Sequence, residues 1–132
     1  NALKDKGLPY DEKLVITGGF RQIDGKSAMS LLLNMQKRPD AVFAVNDPVA
    51  IGAFTMLKEN NISIPDEMAL VGFSNNPVSS LIDPPLTTVE QPSYEIGKIA
   101  ATLLLNQINK GGINHERVEK ILKTKLIIRK SS

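Results

Sequence analysis

Three short apolar runs separated by segments of helical period constrain this chain more than any other feature. Leu14-Val15-Ile16-Thr17 is closed by Gly18-Gly19, Ala41 to Val45 runs into Asn46-Asp47-Pro48, and Ala69 to Phe73 runs into Ser74-Asn75-Asn76. Short, aliphatic runs bounded by turn residues read as buried strands. After the first run, Ala28, Leu31, Leu32 and Met35 recur at i, i+3, i+4 and i+7, with Asp24 placed to cap that helix and Pro39 to stop it. After the second, Asp47 reads as a cap with Pro48 at the first helical position, and Ala50, Ala53, Phe54 and Leu57 form one stripe running to about Asn60. Ile51, Thr55 and Lys58 fall off that stripe. The third run does not alternate apolar with polar residues, which suits a strand covered on both faces. Strand and helix alternating at this spacing predict right-handed βαβ units: an α/β fold, a parallel sheet flanked by helices.

The ends of the chain follow other patterns. Asn1 to Lys6 reads as the tail of a helix, with Gly7 suited to the left-handed residue that ends it. Ser74 to Pro92 is rich in turn residues and encloses one short extended piece, Thr87-Thr88-Val89. Ser93 caps an apolar helix from Tyr94 to about Asn109, which Gly111-Gly112 ends. Val118 to Arg129 reads as one long strand or two collinear ones, and the final residues as a plain tail.

Composition narrows the chemistry. The chain has no cysteine, which excludes disulfides, a thiol nucleophile and a thiolate metal site. Its one histidine, His115, sits in a polar connection, reads as a surface residue and argues against a histidine-rich metal centre. No metal or organic cofactor is expected. A net charge of +2 is too small to imply nucleic-acid or membrane binding by this segment itself. No apolar run approaches the ~20 residues that span a bilayer. With 132 residues the chain has the length of one compact domain, yet it begins at Asn1 without a methionine or visible secretory leader, as a piece of a longer protein would.

In open parallel sheets, ligands bind beyond the carboxyl ends of the strands. Here those ends are Gly18-Gly19-Phe20, Asn46-Asp47 and Phe73-Ser74-Asn75-Asn76. Together they offer aromatic faces, amides and hydroxyls, a mixture suited to a small polar molecule with an apolar face. Phe20, after two glycines and outside any apolar stripe, leans towards a binding role. Asn46 is balanced between ligand and structure, Phe73 between ligand and core, and Asn75 and Asn76 between ligand and turn. Asp47 is accounted for as a cap. No nucleophile–base pair emerges.

The order of several motifs resembles the LacI/GalR family of bacterial transcription regulators. The matching stretches are Arg38 to Asp47, Ala50-Ile51-Gly52-Ala53, Ile64-Pro65-Asp66, Leu70-Val71-Gly72-Phe73 and, most specifically, Pro84-Pro85-Leu86-Thr87-Thr88-Val89-Glu90-Gln91-Pro92. The resemblance implies the C-terminal half of an effector-binding core built like a periplasmic sugar-binding protein, with two lobes crossed three times by the chain. Residues 1–90 would form most of the C-terminal lobe, 91–123 a crossing with a helix and strand of the other lobe, and 124–132 the return. The family's DNA-reading N-terminal domain would lie outside this chain. The resemblance assigns Phe20, Asn46, Phe73, Ser74 and Asn75 to a sugar-like effector, and Ile51, Thr55, Leu81 and Ile82 to a homodimer contact. Ser74 stands where many relatives carry an aspartate, a neutral hydroxyl in place of a charged acceptor.

The implied protein is cytoplasmic, without enzymatic activity, binding a sugar or related polar metabolite and, through the absent domain, operator DNA. A sugar-binding protein of an importer shares the fold and the same strand-end logic. A small α/β enzyme is the reading from a different class. In the fragment reading, the apolar helix from Tyr94 lacks its partner lobe. It would then pack back on the sheet, swap between chains or lie disordered.

Overall fold

The computed structural model describes residues 2–109 and 118–132. Its helices and strands in chain order are α1 (Ala2–Asp5), α2 (Gln22–Leu33), β1 (Ala41–Phe43), α3 (Asp47–Glu59), β2 (Ala69–Phe73), β3 (Thr87–Glu90), α4 (Ser93–Asn109) and β4 (Lys125–Ile127). Short 3-10 turns lie at Glu12–Leu14 and Pro77–Ser80. The strands make one sheet in the order β1-β2-β3-β4. β1, β2 and β3 are parallel, with Val42 opposite Leu70 and Gly72 opposite Thr88, whereas β4 runs antiparallel to β3. The α/β class and the β1-α3-β2 crossover follow from the alternating pattern.

The core joins α2 and α3 to the sheet through Met29, Leu32, Ala53, Leu57, Leu70 and Leu86. Two glycines set the helix–helix distance. A Cβ on Gly25 would strike the backbone carbonyl of Val49, and one on Gly52 would strike that of Gln22. The two backbones therefore meet directly near the N-terminal ends of the helices. Gly7 ends α1 at φ +68°, the left-handed conformation expected of it.

Several expectations need correction. α2 begins before Asp24, whose carboxylate accepts the backbone N–H of Arg21 at 2.9 Å from the third helical position. This is the reach-back half of a capping box, which an acidic residue at that position fills as well as a cap. The helix buries Gly25, Met29 and Leu32, with Ala28, Leu33 and Met35 half-buried and Leu31 exposed.

The first apolar run is not a strand. Residues 15–19 carry no ladder, and of them only Ile16 is half-buried. They line an apolar cleft of about 450 Å³ whose other wall includes Val42 to Val45. An extended run becomes a strand only when a neighbour takes its backbone groups, and β1 does not pair with this one. β1 is consequently an edge rather than a buried strand, with Phe43 and Val45 exposed. β2 buries Leu70 and Gly72 but leaves Ala69, Val71 and Phe73 half-buried, so one face is covered more fully than the other.

The tail is structural. Ser131 is fully buried, its Oγ accepts the backbone N–H of Thr87 at 2.8 Å, and its carbonyl accepts that of Leu70 at 2.7 Å. It bridges the starts of β2 and β3. Of the long strand expected over Val118 to Arg129, only β4 forms among the described residues.

α4 is helical as its period predicts, but it neither packs on the sheet nor buries a residue. Its apolar face, through Ile96, Ile99 and Leu103, meets Leu122 and Thr124 across a cleft. Of the placements expected for it, α4 does not take the one packed back on the sheet, and its apolar stripe faces the returning chain instead. Gly111, Gly112 and His115 lie outside the described residues. No helix among the described residues is long and apolar enough to cross a membrane.

Candidate ligand site at the strand ends

The junction of β1 with α3 organises the carboxyl edge of the sheet. Asn46 is the N-cap of α3: its backbone is extended, and its Oδ1 accepts the N–H of Val49 at 2.8 Å. Its Nδ2 donates to the carbonyl of Phe20 at 3.1 Å. Asp47 is therefore not the cap. It is the first helical residue, fully buried, and its carboxylate accepts three hydrogen bonds at 2.6 Å. The N–H of Asn76 and the hydroxyl of Ser79 reach Oδ2, and the hydroxyl of Thr88 reaches Oδ1. Gly72 makes the space, since a Cβ there would strike Asp47 Oδ1.

Two adjacent side chains thus draw in the two flanking loops. Asn46 holds the Phe20 loop and Asp47 holds the loop over residues 74–79. Three donors replace the water that a buried carboxylate loses. Among the described residues, no buried side-chain polar atom lacks a partner. The pairing of Ser79 with Asp47 offers no nucleophile to a substrate, because both residues are fully buried.

Phe20 lies in a bend with 68% of its surface exposed, beside the half-buried Asn46. Phe73 ends β2 half-buried. Ser74 and Asn75 follow at φ +112° and +50°, a reversal that short polar side chains tolerate. The N–H of Ser74 donates to Val89 at 2.8 Å, extending the β2–β3 ladder by one residue. Asn75 is tied to the protein at both ends of its amide: Nδ2 donates to Glu90 at 3.0 Å, and Oδ1 accepts from Arg129 at 2.7 Å. The fold therefore brings Phe20 to Asn46, and Ser74 and Asn75 to β3, with the Asn46-Asp47 pair between the two groups.

The residues named for a dimer contact are distributed less evenly. Leu81 is 80% exposed, just after the Pro77–Ser80 turn, whereas Ile82 is half-buried against the core. Thr55 is exposed on α3 with its hydroxyl donating to the carbonyl of Ile51 at 2.9 Å, and Ile51 is half-buried.

Sequence reasoning missed Asp47, Ser79, Thr88 and Arg129 as the framework of this edge. One signal was available. An Asn-Asp pair before proline supplies two capping side chains where a helix needs one, so the second must find donors elsewhere. Among the described residues there is no cluster of histidine, aspartate and glutamate fit for a metal ion. The edge thus carries an exposed aromatic ring at Phe20, next to the Asn46 amide, and the Ser74 hydroxyl on the neighbouring loop.

The fold is an α/β module whose parallel sheet gathers two loops at the carboxyl ends of its strands. The chain matches the periplasmic binding protein-like domain over residues 1–132 and belongs to that family, in the form carried by LacI-type transcriptional regulators. It is 40% identical over 109 residues to the HTH-type transcriptional regulator RegA of Clostridium acetobutylicum, covering 83% of this chain and 32% of RegA. The structure is similar to the transcriptional regulator CelR in complex with cellobiose, at a TM-score of 0.92 and 35% identity over 99% of this chain and 39% of that one. It is also similar to a LacI family regulator from Enterococcus faecium with bound ribose, at a TM-score of 0.84 and 32% identity over 98% of this chain and 47% of that one. The chain spans about a third of the length of the curated relatives it matches.

Proposed function

We propose that this chain is the effector-sensing and dimerising part of a LacI-type transcriptional regulator, that it binds a small sugar-like molecule, and that it thereby controls DNA binding. The observation that carries the reading is the strand edge itself. Asn46 and Asp47 gather the Phe20 and Ser74 loops to one side of the sheet, in a fold whose structural neighbours include regulators complexed with cellobiose and ribose. Phe20 stacks on the apolar face of the ligand, and Asn46, Phe73 and Ser74 complete the wall. Asn75 stands behind Ser74 and frames it.

Residues 1–90 and 124–132 form the C-terminal lobe, and residues 91–123 belong to the opposite lobe, which supplies the other wall of the cleft. α4 standing clear of the sheet, with its apolar stripe towards Leu122 and Thr124, supports this division. Ile51, Thr55, Leu81 and Ile82 form the contact between two copies. Ligand binding favours one closure of the lobes over another, and the connecting strands pass that preference to an operator-binding domain outside this chain. The protein acts in the cytoplasm and is not an enzyme. Gel-shift analysis of the full regulator carrying this sequence tests the reading. A sugar that changes operator retention in the wild type and not in Phe20→Ala supports it, and catalytic turnover of the sugar overturns it.

A further inference from the structure

We infer that Asn75 is a positioning residue that yokes the strand-end loop to the outgoing strand of the connector leading to α4 and to the chain that follows its returning strand. This rests on the reading of that loop as a ligand edge, and it adds how a displacement there reaches the rest of the protein.

β3 leaves the sheet through Gln91-Pro92 into α4, and β4 returns beside it, with Glu90 opposite Lys125 and Thr88 opposite Ile127. These two antiparallel strands link the lobe to α4. The Asn75 amide grips the outgoing strand and the chain that follows β4: Nδ2 donates to Glu90 in β3, and Oδ1 accepts from Arg129, two residues past the end of β4. Arg129 is itself fixed to the root of β3, with Nη1 donating to the carbonyl of Leu86 at 2.7 Å and its N–H to Thr87 Oγ1 at 2.9 Å. On its other side, the N–H of Asn75 donates to Thr88 Oγ1 at 3.3 Å, and the Thr88 hydroxyl donates to Asp47.

The chemistry of the position is selective. Glu90 takes a donor and Arg129 an acceptor, and the asparagine amide offers them from two separate atoms on one short stem. Asparagine also tolerates the left-handed backbone found here. With its amide held at both ends, Asn75 transmits rather than binds. A shift of Ser74 displaces Asn75, and that strains hydrogen bonds to the outgoing strand and to the chain after β4 at once.

The absence of cysteine permits a direct test on the whole 132-residue chain without ligand. Spin labels at Ser27→Cys on α2 and Thr102→Cys on α4, both exposed positions, report the distance between the lobe and α4. Asn75→Asp keeps the acceptor for Arg129 but sets a second carboxylate against Glu90. It is expected to shift or broaden the label distance and to speed amide exchange in β3 and β4 about tenfold. Adding Glu90→Gln restores a donor and is expected to return both readouts towards wild type. Faster exchange confined to residues 74–79 with an unchanged label distance overturns the yoke, as does a double variant no better than Asn75→Asp. Where Asn75→Asp prevents folding, the double variant decides by itself: recovery of fold and distance supports the yoke, and failure overturns it. No sugar enters this measurement, so its failure is distinct from failure of the sugar-binding reading.

Discussion

The carboxylate of Asp47 accepts the hydroxyl of Thr88 at 2.6 Å, joining the first turn of α3 to β3 across a sequence separation of 41 residues. With the N–H of Asn76 and the hydroxyl of Ser79 on its second oxygen, one buried side chain holds three segments in register. Asp47→Ala removes the acceptor for all three donors and is expected to cost about 3–4 kcal/mol. Asp47→Asn keeps one acceptor oxygen, and the Thr88 hydroxyl can turn to accept, so its expected cost is about 1–2 kcal/mol. Urea denaturation of the chain checks the order. Equal losses in the two variants would contradict a hydrogen-bonding role.

The direct approach of α2 and α3 makes a second prediction. Alanine is intrinsically better in a helix than glycine by about 1 kcal/mol. At Gly52, however, the added methyl would meet the Gln22 carbonyl. Overpacking against backbone outweighs propensity, and Gly52→Ala is expected to destabilise the chain by about 2–3 kcal/mol. Thermal unfolding measures it, and a stabilised variant would contradict the close approach.

Ser131 makes the third. Ser131→Ala leaves the buried N–H of Thr87 without its acceptor, at an expected cost of about 1–3 kcal/mol. Hydrogen exchange at Thr87 is expected to accelerate in that variant. Unchanged protection would show that the tail does not close the sheet.

Binding by the isolated chain is the fourth. In the proposed reading the strand edge supplies one wall of a cleft, and a ligand held on one side forgoes much of the burial that a full pocket supplies. Calorimetry with ribose or cellobiose is expected to show affinity no tighter than about millimolar, roughly 4 kcal/mol of binding free energy. Micromolar affinity would contradict the one-wall reading.

Local signals predicted local structure well. Pro48 and the Ala50, Ala53, Leu57 stripe located α3, the Ala69 to Phe73 run located β2, and the Tyr94 to Asn109 period located α4. What failed depended on partners. The Leu14 to Thr17 run has strand composition, but pairing is decided by a neighbouring edge that composition does not reveal. Asn46 and Asp47 are both good caps, and their division of labour follows from Gly72 making room for the carboxylate, a contact 25 residues away in the chain. Ser131 looked like tail because its buried partners lie in β2 and β3. Strand-end logic pointed to the candidate side chains on the loops of that edge, Phe20, Asn46, Phe73, Ser74 and Asn75. The framework behind it, Thr88, Ser79 and Arg129, was not legible, because it consists of tertiary hydrogen bonds.

The most direct measurement is a sugar titration of the full regulator carrying this sequence, followed by amide and aromatic chemical shifts. Binding at the strand edge predicts that shifts concentrate at Phe20, Asn46, Phe73 and Ser74, and that Phe20→Ala weakens affinity about tenfold, the loss of one aromatic contact, with the melting temperature unchanged. Shifts centred elsewhere, or full affinity in Phe20→Ala, would contradict it.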